Sequence, residues 1–303
     1  MSAIIPTSEG YIQFRDHKIW YCIVGDLANL PPDKFPVLLL HGGPGLPHER
    51  LEPLKALAQT CRPVIFYDQL GCGNSDRPDD PALWSIDLFL AELATVRHAL
   101  GLDRIHLFGH SWGGMLAMEY ALTQPNGILS LILASSPASI PLWITETKKL
   151  REKLPSAVQA TLLQHEADGT TDDPAYTEAT IAFSRRHVCR LSPCPELVER
   201  GLEKKGKQVY ETMLGPSETC VIGHLKHWDI TSRLGLIHIP SLLTSGRYDE
   251  FTPIQAAVVH QGIPNCTWVL FENSAHMPHV EETEHYLEVL DDFLTRIEES
   301  VQN

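Results

Sequence analysis

The chain has 303 residues, 43% of them hydrophobic, and a formal net charge of −14, enough length and apolar content for one large core or for one domain carrying an insertion. That charge opposes nucleic acid and anionic membrane surfaces as partners, because both are repelled over most of such a molecule. Seven cysteines, widely spread and without a C-x-x-C pair, point to reduced thiols and a cytoplasmic setting rather than to zinc or thiol exchange.

Residues 1–10 lack the basic lead and apolar core of a signal peptide, and no run approaches the ~20 apolar residues of a membrane span. Residues 11–24 alternate around Asp16-His17 and predict a hairpin. Residues 35–41 and 63–67 are short continuous apolar runs, as in strands covered on both faces. The first stops at Gly42-Gly43-Pro44-Gly45, the second at Asp68-Gln69 and a Gly71-Cys72-Gly73 turn. Phe89, Leu93, Val96 and Leu100 then recur at helical spacing, and Gly101 closes that helix. Residues 104–108 predict the next buried strand, 117–122 a mostly apolar helix, and 129–134 a further strand. Strands alternating with helices predict an open, largely parallel α/β sheet with helices on both faces.

From Pro137 to about Gly223 the rhythm stops. Leu150, Leu154, Val158 and Leu162 share a helical stripe broken by Pro155, and acidic turns at Asp168-Gly169 and Asp172-Asp173-Pro174 separate the helices. The expected division is a core of residues 1–136 and 224–303 interrupted by a helical insertion, 137–223. Strands resume at 239–244 and 266–271, and a helix near 285–297 closes the chain.

The run Leu107-Phe108-Gly109-His110-Ser111-Trp112-Gly113-Gly114 reads as a nucleophile elbow with Ser111 at its tip. Glycines flank the serine because the backbone turns sharply from strand to helix and larger side chains clash there. A serine hydroxyl needs a base to take its proton and a third group to orient that base. On an α/β sheet these follow later in the chain, acid before histidine, each in a loop after a strand. Asp249, in Gly246-Arg247-Tyr248-Asp249-Glu250, fits the acid, and His276, in Asn273-Ser274-Ala275-His276, fits the base. The backbone N–H groups of Trp112 and Gly43 are the expected donors to a developing oxyanion.

Each of these residues has a plainer reading. His279 competes with His276. Asp249 could cap the helix announced by Thr252-Pro253, although Thr252 suits that role better. Gly42 and Gly45 could serve turn geometry alone, and His110 reads as packed beside the elbow. The remaining histidines show no H-E-x-x-H spacing, so neither a metal nor another cofactor is expected.

Four segments together, His41-Gly42-Gly43-Pro44-Gly45, Tyr67-Asp68-Gln69-Leu70-Gly71-Cys72-Gly73-Asn74-Ser75-Asp76, Gly109-His110-Ser111-Trp112-Gly113-Gly114 and Gly246-Arg247-Tyr248-Asp249-Glu250, resemble the proline iminopeptidases of the α/β-hydrolase superfamily, over nearly the whole chain. The resemblance implies an α/β-hydrolase fold with a helical cap, and acidic residues that bind a substrate's free α-amino group. Glu218, in Gly215-Pro216-Ser217-Glu218, is similar to the cap glutamate of that family, Glu250 to a second one, and Tyr210 is placed on the cap side. Carboxylates suit the task because a partly desolvated ammonium needs a charge partner and directional acceptors; without the resemblance, either glutamate reads as a solvated surface residue. The implied activity is serine exopeptidase release of an N-terminal residue, preferentially proline, from short peptides through an acyl-enzyme. An amino-acid amide hydrolase shares the amino-end recognition, and an esterase or lactonase shares the triad chemistry. A receptor or scaffold on this fold does not need a complete triad, and epoxide hydrolases and dehalogenases place an aspartate at the elbow.

Overall fold

In the computed structural model, which describes residues 5–302, the chain opens with β1 (Thr7–Phe14) and β2 (His17–Val24), paired antiparallel. The turn is Arg15-Asp16, one residue earlier than the pattern suggested, because His17 already pairs with Phe14 and Arg15 takes the left-handed backbone, φ 54. Six further strands follow: β3 (Val37–Leu40), β4 (Val64–Tyr67), β5 (Ile105–His110), β6 (Ile128–Ala134), β7 (Ser241–Gly246) and β8 (Cys266–Phe271). They run parallel to one another, and β2 joins β4 antiparallel, in an eight-stranded sheet of order β1-β2-β4-β3-β5-β6-β7-β8.

Central strands β3, β4 and β5 are buried at every position, which is why they read as continuous apolar runs. Their alternate residues feed two cores. Leu38 and Leu40 join α1 (Ile86–Ala99) and α2 (Trp112–Leu122) on one face, whereas Val37 and Leu39 join Leu51, Leu54 and Leu57 on the other. Those three leucines belong to a 3-10 stretch, His48–Thr60, that the sequence reading passed over. Their three-residue spacing was its signal, since side chains eclipse every third residue in that helix.

Between β6 and β7 lie α3 (Ile140–Arg151), α4 (Ser156–Asp168), α5 (Pro174–His187), α6 (Glu196–Glu203) and α7 (Lys207–Met213). The apolar stripe spans two helices: Leu150 sits on α3, Pro155 precedes α4, and Leu154 and Leu162 pack with Tyr176, Ala179 and Phe183 in a small separate core. Arg200 of α6 donates two 2.8 Å hydrogen bonds to Glu52, and Lys204 pairs with Glu49 at 2.7 Å. The chain then returns to the sheet through α8 (Pro253–Gly262), α9 (Pro278–Glu281) and α10 (Thr283–Gln302), whose Tyr286, Leu290, Phe293 and Leu294 complete the second core. All seven cysteines are free, and among the described residues no helix is long and apolar enough to cross a membrane.

Candidate active site

In open parallel sheets, ligands bind beyond the carboxyl ends of the strands, and the loop of residues 41–45, the elbow at Ser111 and the loops bearing Asp249 and His276 each follow such an end. Ser111 occupies the single residue between β5 and α2 with φ 55 and ψ −120, a left-handed backbone that is costly for a non-glycine residue. Surrounding glycines make that turn possible. A Cβ on Gly109 meets the Gly113 carbonyl oxygen at 2.3 Å, and one on Gly113 meets that of Leu40 at 2.1 Å. The elbow is thus wedged directly against β3.

Asp249 follows β7, and His276 follows β8. Asp249 Oδ1 accepts from His276 Nδ1 at 2.7 Å and from the Phe251 N–H at 2.7 Å. With Nδ1 engaged, His276 leaves Nε2 on the side of Glu250, 3.9 Å from its Oε1, and the residue lines one cleft with Ser111. His279 is elsewhere engaged: its Nε2–H donates to the Arg50 carbonyl at 3.0 Å, and burial pushes the ring down to about 3, so it stays neutral. Thr252 holds the N-cap position of α8, but its hydroxyl donates to Glu146 at 3.1 Å instead of capping. Beside the elbow, the buried ring of His110 donates through Nε2 to the His276 carbonyl at 2.9 Å, tying the histidine loop to the serine turn.

Gly43, with φ 114, lines the same cleft. Trp112 opens α2, where its N–H has no intrahelical acceptor. The two are held in register by Gln69, a residue the sequence reading did not single out. Its backbone N–H donates to His41 Nε2 at 2.9 Å, its side-chain amide donates to the His41 carbonyl at 3.2 Å, and its side-chain oxygen accepts from the Trp112 indole at 2.8 Å.

Glu218 and Glu250 line the cleft together with Ser111, His276 and Arg50. Glu250 is 1% exposed, with Oε2 unpartnered and Oε1 3.9 Å from His276 Nε2. Burial, with Glu218 and Asp249 adding and Arg50 opposing, raises its carboxyl well above the ordinary range. Tyr210 of α7 is buried, the charges of Glu218 and Glu250 act on its hydroxyl through space, and the Lys205 ammonium lies 3.2 Å from the centre of its ring. A further contributor escaped the sequence reading. Trp143 of α3 donates its indole N–H to the Glu218 carbonyl at 3.0 Å and sets its ring edge-on to His276, centroids 6.0 Å apart. The insertion also grips both later loops: the Glu250 N–H donates to the His187 carbonyl and the His276 N–H to that of Val188, each at 3.1 Å.

Among the described residues, potential metal ligands gather only at His48, Glu49 and Asp68. Those atoms already serve one another and the chain: His48 Nδ1 meets Asp68 Oδ1 at 2.8 Å, Asp68 Oδ2 accepts from the Asn74 N–H, and Lys204 sits 2.7 Å from Glu49.

A profile of the alpha/beta hydrolase fold matches residues 36–283. A proline iminopeptidase of Heyndrickxia coagulans is 47% identical over 86% of this chain and 91% of its own. Among solved structures, VinJ superposes with a TM-score of 0.92 at 39% identity, covering 96% of this chain and 99% of that one. The proline iminopeptidase of Mycobacterium smegmatis gives 0.89 at 38%, covering 97% and 100%.

Proposed function

Because this chain belongs to the proline iminopeptidase family of α/β-hydrolase fold enzymes, we propose that it is a serine exopeptidase releasing an N-terminal residue, proline by preference, from short peptides. The observation that carries this reading is one cleft holding Ser111, a His276 oriented by Asp249, and two carboxylates, Glu218 and Glu250. The carboxylates take the substrate's free ammonium and thereby set the first residue's carbonyl against Ser111. Tyr210, buried where the Glu218 charge reaches it, backs this end of the site. The helices of 137–223 act as the cap that closes over this end of the substrate.

Ser111 Oγ attacks the carbonyl carbon while His276 Nε2 accepts the hydroxyl proton, and Asp249 stabilises the imidazolium. Charge on the carbonyl oxygen is met by the N–H groups of Gly43 and Trp112. Collapse breaks the peptide C–N bond, and His276 gives its proton to the leaving amine. Water, deprotonated by His276, then attacks the acyl-serine ester and frees the amino acid.

The test compares proline, alanine and phenylalanine p-nitroanilides, the corresponding amides, and N-acetylproline p-nitroanilide, using wild type and Ser111→Ala. Turnover of the free-amino proline anilide above the others, lost in the variant, is the expected result. Preference for the acetylated substrate overturns the reading, since acetylation removes the charge that Glu218 and Glu250 bind. Faster turnover of simple amides than of anilides or peptides identifies an amino-acid amidase instead.

A further inference from the structure

Arg50 has no part in the chemistry above, yet it lines the cleft with Ser111, Glu218 and Glu250. It stands on the 3-10 stretch and runs beneath α6, where its Cγ lies 3.1 Å from where a Cβ on Gly201 would sit. The residue is 7% exposed, and its Nε has no hydrogen-bond partner. Among the described residues, no carboxylate closes on the guanidinium as an ion pair, although Glu218 acts on it through space and Glu250 feels it in turn.

An unpaired buried guanidinium is expensive to keep, and its planar fork of donors matches a carboxylate bidentately. Two acidic groups and one basic group therefore share a single cleft without touching. An extended two-residue chain spans about 7 Å, and a free dipeptide carries an ammonium at one end and a carboxylate at the other. We propose that Arg50 binds the terminal carboxylate of a dipeptide substrate, which makes the enzyme selective for two-residue zwitterions over amidated or longer peptides. This inference rests on the aminopeptidase reading and adds the leaving-group side to it.

The experiment measures kcat/KM on Pro-Gly, Pro-Gly-NH2 and Pro-Gly-Gly for wild type, Arg50→Lys and Arg50→Met, with proline p-nitroanilide as a reference for wild type. Wild type is expected to favour Pro-Gly over both other peptides by about tenfold or more, the scale of one charge-assisted contact. Arg50→Met brings that ratio close to one, with the change in KM, and Arg50→Lys retains part of it, whatever absolute rate each variant keeps. A wild-type ratio near one overturns the proposal without any variant. An unchanged ratio in Arg50→Met also overturns it and leaves Arg50 as an internal counter-ion to the glutamates. Failure of wild type on all three peptides and on the p-nitroanilide overturns the peptidase reading itself, a result separate from loss of selectivity in an active enzyme.

Discussion

Glu250 carries a buried carboxyl group into the cleft that Glu218 also lines, with Asp249 its neighbour in the chain, and burial followed by those two charges holds its proton on to higher pH than usual. A substrate ammonium favours the ionised form, so binding expels that proton. The sign follows: below the raised pKa of Glu250, KM for a free-amino substrate climbs by about tenfold per pH unit, and above it KM levels off. Glu250→Gln removes this acid limb and raises KM at neutral pH about 30-fold or more, as expected for losing one partner of a buried charge pair. KM of proline p-nitroanilide from pH 5 to 9 checks both; an acid limb that survives in the variant assigns the proton to another group. At this scale the sequence was informative wherever chemistry demands a residue type at a fixed place. Gly109 and Gly113 flank Ser111 because no Cβ fits there, and such necessity leaves a mark in the sequence. Arg50 and Trp143 left none, because each sits in a segment with no motif of its own, and Gln69, though inside the run 67–76, acts on groups distant in the chain that the run itself does not reveal.

The joint between α6 and α7 sets where Tyr210 stands relative to the sheet. At that joint three glycines from separate segments meet backbone to backbone. The Gly206 N–H donates to the Gly45 carbonyl at 2.9 Å, a Cβ on Gly206 meets the Gly71 carbonyl oxygen at 2.1 Å, and one on Gly45 meets Val209 Cγ1 at 2.7 Å. Gly206 has φ −81, which any residue adopts, so substitution there is a steric test and no backbone strain enters. Gly206→Ala forces α7 away from the loop after β4; it is expected to destabilise by about 1–3 kcal/mol, the usual cost of overpacking, and to raise KM more than it lowers kcat, because Tyr210 and Glu218 shift while Ser111 stays. Thermal melts with steady-state kinetics check this, and an unaltered KM in a destabilised variant would detach the joint from substrate binding. Periodicity revealed that helices lie between β6 and β7 but not how they settle on the sheet, since seating depends on single glycine contacts such as these. Gly45 illustrates the gap: read as a turn residue, it is also where the insertion touches the loop after β3.

Across the whole molecule, α10 is the last element and closes the second core, yet its polar attachment is to the segments leading into β3 and β4 and to β5. Glu298 accepts from Arg62 Nε at 2.8 Å and Nη2 at 2.7 Å and from Lys34 at 3.0 Å, with His106 Nε2 3.5 Å away. The Arg62 side chain is entirely enclosed and also pairs with Asp291. Alternating strands and helices were enough to give the sheet its class, because covered strands leave apolar runs that survive any partner. The closure by α10 was legible only as an amphipathic stripe, for Arg62 and Glu298 lie 236 residues apart and charged residues are ordinarily assigned to the surface. Burial alone would raise the Glu298 carboxyl, but His106, Arg62 and Lys34 outweigh it and bring it down to about 2. A carboxyl lowered on folding stabilises fully above its unfolded value, near ~4.3, and loses that contribution as pH falls toward the folded value. Glu298→Gln leaves Arg62 without its bidentate partner and is expected to cost about 3–5 kcal/mol at pH 7. The gap in melting temperature between wild type and variant should then hold from pH 7 to about 5 and narrow steadily toward pH 2.5, as wild type itself becomes protonated at Glu298. A gap of constant size over that acid range would mean that Glu298 holds α10 by shape and neutral hydrogen bonds, not by its charge.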